Sequence, residues 1–135
     1  MVERIPILKI GEILLVTIQL DFHDRIALAL QEDLTEKIVS ASAKGVLIDI
    51  SALEMVDSFM GRVLGNIAKI SKLLDCHVVL VGMQPAIAIT ITELGISLKG
   101  IRTALTAEDG LLLLKKLVGS ASTAKVRNGR QIPGR

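Results

Sequence analysis

The sequence predicts an α/β domain with a mixed, mostly parallel β-sheet of about five strands and about four helices, in the order β-β-α-β-α-β-α-β-α. Three observations predict it. Two short β-rich runs open the chain with only Gly11-Glu12 between them, a spacing that suits a tight hairpin. Val46-Leu47-Ile48-Asp49-Ile50 and the run 77–81 are near-continuous apolar stretches, the pattern of parallel strands covered on both faces. Apolar stripes with helical spacing lie between these runs, so strands and helices alternate as in right-handed βαβ units.

The hairpin strands are expected over 5–10 and 13–20. From Asp24 the period changes, and Ile26, Leu30, Leu34, Ile38 and Ala41 form the stripe of an amphipathic helix of about five turns. Asp21 or Asp24 is placed to cap it, and Asp33 and Lys37 form a favourable i,i+4 pair. Gly45 leads into the third strand, which the order makes central. A second helix begins near Asp57-Ser58, with Val63, Ile67, Ile70 and Leu74 on its apolar side and Arg62, Asn66, Lys69 and Lys72 on the other. The strand at 77–81 closes at Gly82. Residues 84–95 alternate Ile87, Ile89 and Ile91 with Ala88, Thr90 and Thr92 as a strand would. Pro85 at a first helical turn, Gly95 at a left-handed cap and the need for a crossover between parallel strands decide for a helix. A short fifth strand is expected over 103–105. Thr106-Ala107-Glu108-Asp109 then caps a last helix, with Lys115 and Lys116 near its negative end and Gly119 as its terminator.

At 135 residues the chain has the length of one domain with a proper core. Half the residues are hydrophobic and 22% are charged, which excludes a disordered chain. One cysteine supports no disulfide framework. No apolar run reaches the roughly 20 residues of a membrane span, and the start lacks a signal peptide, so a cytoplasmic protein is expected. Two Phe, no Tyr and no Trp leave no stacking platform, and nucleic-acid binding is not expected. All 14 acidic residues lie in 1–118 with 12 basic ones, a net of −2, while 119–135 carries +4 from Lys125, Arg127, Arg130 and Arg135. The division read from this is a folded domain over 1–118 and a basic, flexible tail over 119–135. Such a tail is either a solvated end or an electrostatic contact for an acidic partner or nucleic acid.

Catalytic constellations are mostly missing. Neither a dinucleotide fingerprint nor a nucleotide phosphate loop occurs, so no cofactor is expected. Gly61 and Gly65 lie four apart in the second helix and read as close helix packing. Cys76-His77 offers two adjacent ligands where a zinc site needs four, and the other histidine, His23, is distant. Asp49 invites comparison with a phospho-acceptor, but no acidic pair for Mg²⁺ accompanies it, and it reads as a strand-end turn former, as Ser51-Ala52-Leu53-Glu54 also does.

What remains is Asp57-Ser58-Phe59-Met60-Gly61, entering the second helix. Asp and Ser are the preferred N-caps, and a plain cap is one reading. The other is a regulatory phosphoserine, since phosphate at a helix N-terminus gains from exposed N–H groups and the dipole while adding about −1.5 to −2 charge to the surface. Asp57, Phe59, Met60 and Arg62 are then the expected partner-binding residues around Ser58, with a core position for one of Phe59 and Met60 as the alternative.

The element order with Asp-Ser at the start of the second helix resembles the STAS domain, the fold of anti-sigma-factor antagonists. More closely, Ile5-Pro6-Ile7-Leu8-Lys9, Leu14-Leu15-Val16-Thr17-Ile18-Gln19, Asp57-Ser58-Phe59, Val63-Leu64-Gly65 and Gln84-Pro85-Ala86-Ile87-Ala88 resemble the RsbS-type scaffold branch of the bacterial stressosome. Phe59-Met60 after the serine departs from the Asp-Ser-Ser-Gly of simple antagonists and favours that branch. The resemblance implies a non-enzymatic scaffold that joins RsbR-type sensor subunits, through their STAS domains, in a large complex. It implies that the unphosphorylated form holds a GHKL-class serine kinase of the RsbT type, that phosphorylation of Ser58 releases the kinase, and that a PPM-class phosphatase of the RsbX type resets the site. A free-standing antagonist that binds an anti-sigma kinase in a small complex is the alternative.

Overall fold

In the computed structural model, which describes residues 4–19 and 22–131, the chain opens with β1 (Ile7–Ile10) and β2 (Ile13–Thr17), paired antiparallel. Ile10 faces Ile13, so Gly11-Glu12 is a two-residue turn, and Gly11 takes the positive φ of 60° that its first central position requires. Both strands are shorter than expected. Ile5 and Ile18 still join the core beyond their ends. Leu20 and Asp21, the expected strand end and one expected cap, lie outside the described residues.

The remaining elements follow in the expected order: α1 (Asp24–Ala41), β3 (Gly45–Asp49), α2 (Ser58–Leu73), β4 (His77–Val81), α3 (Pro85–Glu93), β5 (Ile101–Ala104) and α4 (Ala107–Gln131). The sheet order is β1-β2-β3-β4-β5, with β2 to β5 parallel and β3 in the middle. Because each parallel step moves in the same direction across the sheet, right-handed crossovers put α1, α2 and α3 on one face. That face holds the larger core. Leu14, Val16, Val46, Ile48, Val78 and Leu80 point into it from the strands and meet Leu30 and Leu34 of α1, Leu64 and Ile67 of α2, and Ile87 and Ile91 of α3. The alternate strand residues Ile13, Leu47, Val79 and Val81 pack with Leu114 of α4 on the opposite face. α4 lies close to the sheet, because a side chain on Gly110 would run into Val81 and Leu47.

Several local expectations are corrected. The N-cap of α1 is His23, whose side chain makes no cap bond, and Asp24 is the first helical residue, where it complements the dipole without capping. Asp33 pairs with Arg4, not Lys37, and so ties the N-terminal segment to α1. The buried side of α2 is Met60, Val63, Leu64, Ile67, Ala68 and Ser71; Ile70 is half-buried and Leu74 is the C-cap, so the apolar stripe is rotated from the expected one. The fifth strand begins two residues earlier than expected. Helix α3 is as the Pro85 and Gly95 signals predict, with Pro85 in its first turn and Gly95 at φ 66°. α4 does not stop at Gly119. The helix continues to Gln131, Gly119 takes no positive φ, and Lys115 and Lys116 lie mid-helix and not in its last turn. A helical run can absorb one glycine at a cost of about 1 kcal/mol, so the composition around Gly119 did not compel a stop. The boundary drawn at 118 therefore falls inside α4, and 132–135 lie outside the described residues.

Candidate functional site

Between β3 and α2 the chain crosses the sheet end in a loop held down by its own apolar residues. Ile50, Leu53 and Val56 are buried, whereas Met55 between them is 77% exposed. Asp49 Oδ1 accepts the Ser51 N–H at 2.9 Å, and Gln84 Nε2 donates to the Ser51 carbonyl at 2.9 Å, which fixes the loop to the start of α3. Asp49 thus does the turn work that its position suggested.

The loop delivers Asp57 in extended conformation (φ −98°, ψ 178°), and its carboxylate accepts the Met60 N–H at 2.8 Å. This is an N-cap in the ordinary sense, with Ser58 as the first helical residue. Ser58 is exposed, and among the described residues its hydroxyl makes no hydrogen bond. The N–H groups of Ser58 and Phe59 have no helical acceptor, as the first turn of any helix dictates. Ser58 is accordingly free to be approached.

Of the expected site residues, the structure brings Ser58, Asp57 and Arg62 together at the surface. Phe59 is half-buried and packs against the larger core. Met60 is only 8% exposed and belongs to that core, which corrects its place among the partner-contact residues: one turn into α2, the helix face holding positions 60, 63, 64 and 67 is turned inward.

Ser58 and Arg62 also border a cavity of about 280 Å³ that sequence reasoning did not find. Asn66 and Lys69 continue the α2 wall, Gly65 forms part of the lining, and Leu94 to Ser97 supply the opposite side. The signal for it was present in Gly61 and Gly65. A Cβ at Gly61 would overlap Ile96 Cδ1, and one at Gly65 would stand 3.1 Å from the Ser97 carbonyl oxygen. The pair lets the segment after α3 approach α2 closely, as small residues four apart allow.

Cys76 is buried, and that burial pushes its thiol up to about 11, with Lys44 opposing and Asp75 adding to the shift. A thiol so held is protonated and unreactive at neutral pH. Among the described residues no three His, Cys, Asp or Glu side chains are grouped to hold a metal ion, and no helix is long and apolar enough to cross a membrane.

A family model described as the STAS domain matches residues 4–110. The chain belongs to the STAS domain family. RsbS of Moorella thermoacetica, in an S58E variant, is 43% identical with a TM-score of 0.76, over 84% of this chain and 96% of that one. A chain from a structure of the stressosome, a signal integration and transduction hub, is 46% identical with a TM-score of 0.74, over 83% of this chain and 97% of that one. This STAS domain is therefore of the RsbS type. The anti-sigma-factor antagonist SpoIIAA in its unphosphorylated form is 12% identical with a TM-score of 0.60, over 80% of this chain and 94% of that one, and shares the fold. No curated protein matches the chain.

Proposed function

We propose that this STAS domain is a non-enzymatic phospho-switch scaffold of a stressosome, located in the cytoplasm. The observation that carries the reading is Ser58: an exposed hydroxyl without a hydrogen-bond partner among the described residues, held at the first position of α2 by the Asp57 cap. The likeness to RsbS and to a stressosome chain supports assembly with RsbR-type sensor subunits through their STAS domains. The S58E change in the Moorella relative places a carboxylate where a serine stood, as a phosphate mimic does.

In the unphosphorylated state the surface around Ser58 holds an RsbT-type serine kinase. Ser58 Oγ attacks the γ-phosphorus of ATP bound to that kinase, an Oγ–P bond forms, the β–γ anhydride bond breaks, ADP leaves and the hydroxyl proton passes to a base of the kinase. The chain itself contributes only the nucleophilic hydroxyl and its position. Phosphate at the helix start is compatible with the fold, since the free N–H groups and the dipole favour it there, so the change is read at the surface and not through unfolding. Each 1.4 kcal/mol of lost complementarity lowers kinase affinity about tenfold, and burying an unpaired charge costs about 3–5 kcal/mol, so one phosphate suffices for release. An RsbX-type PPM phosphatase then returns the hydroxyl and inorganic phosphate by attack of water on phosphorus.

Intact-mass spectrometry after incubation with an RsbT-type kinase and ATP tests the reading. One added phosphate on wild type and none on Ser58→Ala is the expected result. No phosphate on wild type, with the kinase active on another substrate, refutes it. Light scattering of the chain mixed with RsbR-type subunits should give a high-mass particle; a small stoichiometric complex would instead indicate a free-standing antagonist.

A further inference from the structure

Arg62 stands four residues after Ser58 on α2, and the two side chains border the same cavity. Residues at this spacing are neighbours on one helix face, and an anion four residues before a cation is the favourable order. Arg62 is exposed, and among the described residues the one ion pair is that of Arg4 with Asp33, so Arg62 has no carboxylate partner there. The cavity, at about 280 Å³, is many times the roughly 30 Å³ of a water molecule and can admit a phosphate group with its hydration.

We propose that Arg62 is the internal counter-charge of the Ser58 phosphate: the phosphorylated side chain turns along α2 into the cleft and pairs there with the guanidinium. This rests on the phospho-switch reading of Ser58 and specifies what the modified state is. Asp57, beside the phosphate, contributes repulsion and offers it no donor. A guanidinium offers a planar fork of donors that meets two phosphate oxygens together, which a lysine cannot reproduce. Lys69 closes the far end of the same cleft, eleven residues from Ser58 and so about 16 Å along the helix, beyond one Debye length at 0.1 M salt. The phosphorylated surface is then a filled cleft in which Arg62 offsets one of the phosphate's roughly 1.5–2 negative charges, and the remainder is the unpaired charge that a bound kinase would have to bury. A carboxylate at position 58, with one charge and two oxygens, reproduces this only in part.

The test is the second ionisation of the phosphate, followed by ³¹P NMR on full-length chain into which phosphoserine is incorporated at position 58 during translation. No kinase takes part, so a chain that no RsbT-type kinase modifies would defeat the proposed function while leaving this measurement intact. The free group titrates near pH 6. Arg62 lowers that value, and Arg62→Gln should raise it by about 0.3–1 unit at low salt, with the difference shrinking as salt is added. Arg62→Lys should fall between the two. Lys69→Gln removes the same charge from the far end and, compared at 0.1 M salt where that end lies beyond one Debye length, should shift the value by less than a third as much as Arg62→Gln does there. Equal titration of wild type and Arg62→Gln overturns the pairing, and so does a Lys69→Gln shift as large as that of Arg62→Gln.

Discussion

Two glycines of α4 make opposite predictions for the same substitution. At Gly110 an added Cβ would overlap Val81 Cγ1 and stand 2.8 Å from Leu47 Cδ1 and 3.3 Å from Val79 Cγ1. These atoms belong to central strands that are paired on both sides, and Val79 and Val81 are fully buried, so relief requires α4 to move off the sheet. Overpacking of this kind costs about 1–3 kcal/mol, and with three neighbours met at once the upper half of that range applies. Alanine regains about 1 kcal/mol through helix propensity, which leaves Gly110→Ala destabilised by about 1–2 kcal/mol. At Gly119 nothing lies within 4 Å of the added methyl, so Gly119→Ala should be stabilised by about 0.8–1 kcal/mol. The two variants should thus differ by about 2–3 kcal/mol, or roughly 10 °C in Tm for a domain of this size. Urea unfolding followed by circular dichroism, with m unchanged, measures the gap. A Gly110→Ala protein as stable as wild type would refute the close seating of α4. Loss of stability in Gly119→Ala would mean that this residue ends the helix in a left-handed conformation after all.

Asp57→Ala should lower stability by about 1 kcal/mol, because the Met60 N–H loses its acceptor, while Asp57→Asn should cost only a few tenths; thermal unfolding of both separates the cap bond from general charge effects. Cys76 gives a pH dependence. Its pKa in the fold is raised to about 11 from an ordinary 9.0, so the unfolded chain releases the proton first, and the contribution of the buried neutral thiol is intact below pH 9 and lost as the pH climbs from 9 toward 11. The expected slope is at most about 1.4 kcal/mol per pH unit relative to Cys76→Ala, and parallel urea midpoints for the two proteins between pH 8 and 10.5 would contradict it.

The elements that sequence made legible are those whose signals were local. The Gly11-Glu12 turn, the Pro85 and Gly95 punctuation that overruled a strand-like alternation, and Thr106, whose Oγ1 accepts the Asp109 N–H at 3.1 Å, all act within four residues of themselves. The Asp57 cap and exposed Ser58 belong to the same class. What could not be read depended on contacts across the fold. Asp33 had two cations to choose from, and the one 29 residues away won. Met60 looked like a surface residue beside Ser58 because the rotation of α2 is set by α1 and the sheet, not by its own sequence. The cleft required the segment at 94–97 to lie against α2, and only the paired glycines hinted at that approach.

The sheet order β1-β2-β3-β4-β5 has a consequence for how the chain assembles during synthesis. No strand has to be inserted between two earlier ones, so the sheet can grow outward in the order in which the ribosome delivers it. Ile13, Gly45 and His77 occupy matching rungs and are spaced 32 residues apart in turn, which at roughly 5–20 residues per second brings each new strand to the open edge about 2–6 s after the last. The exposed edge of the nascent sheet is therefore a succession of brief states, each ended by the next strand to emerge, and the opposite face is sealed by the helix that is made last.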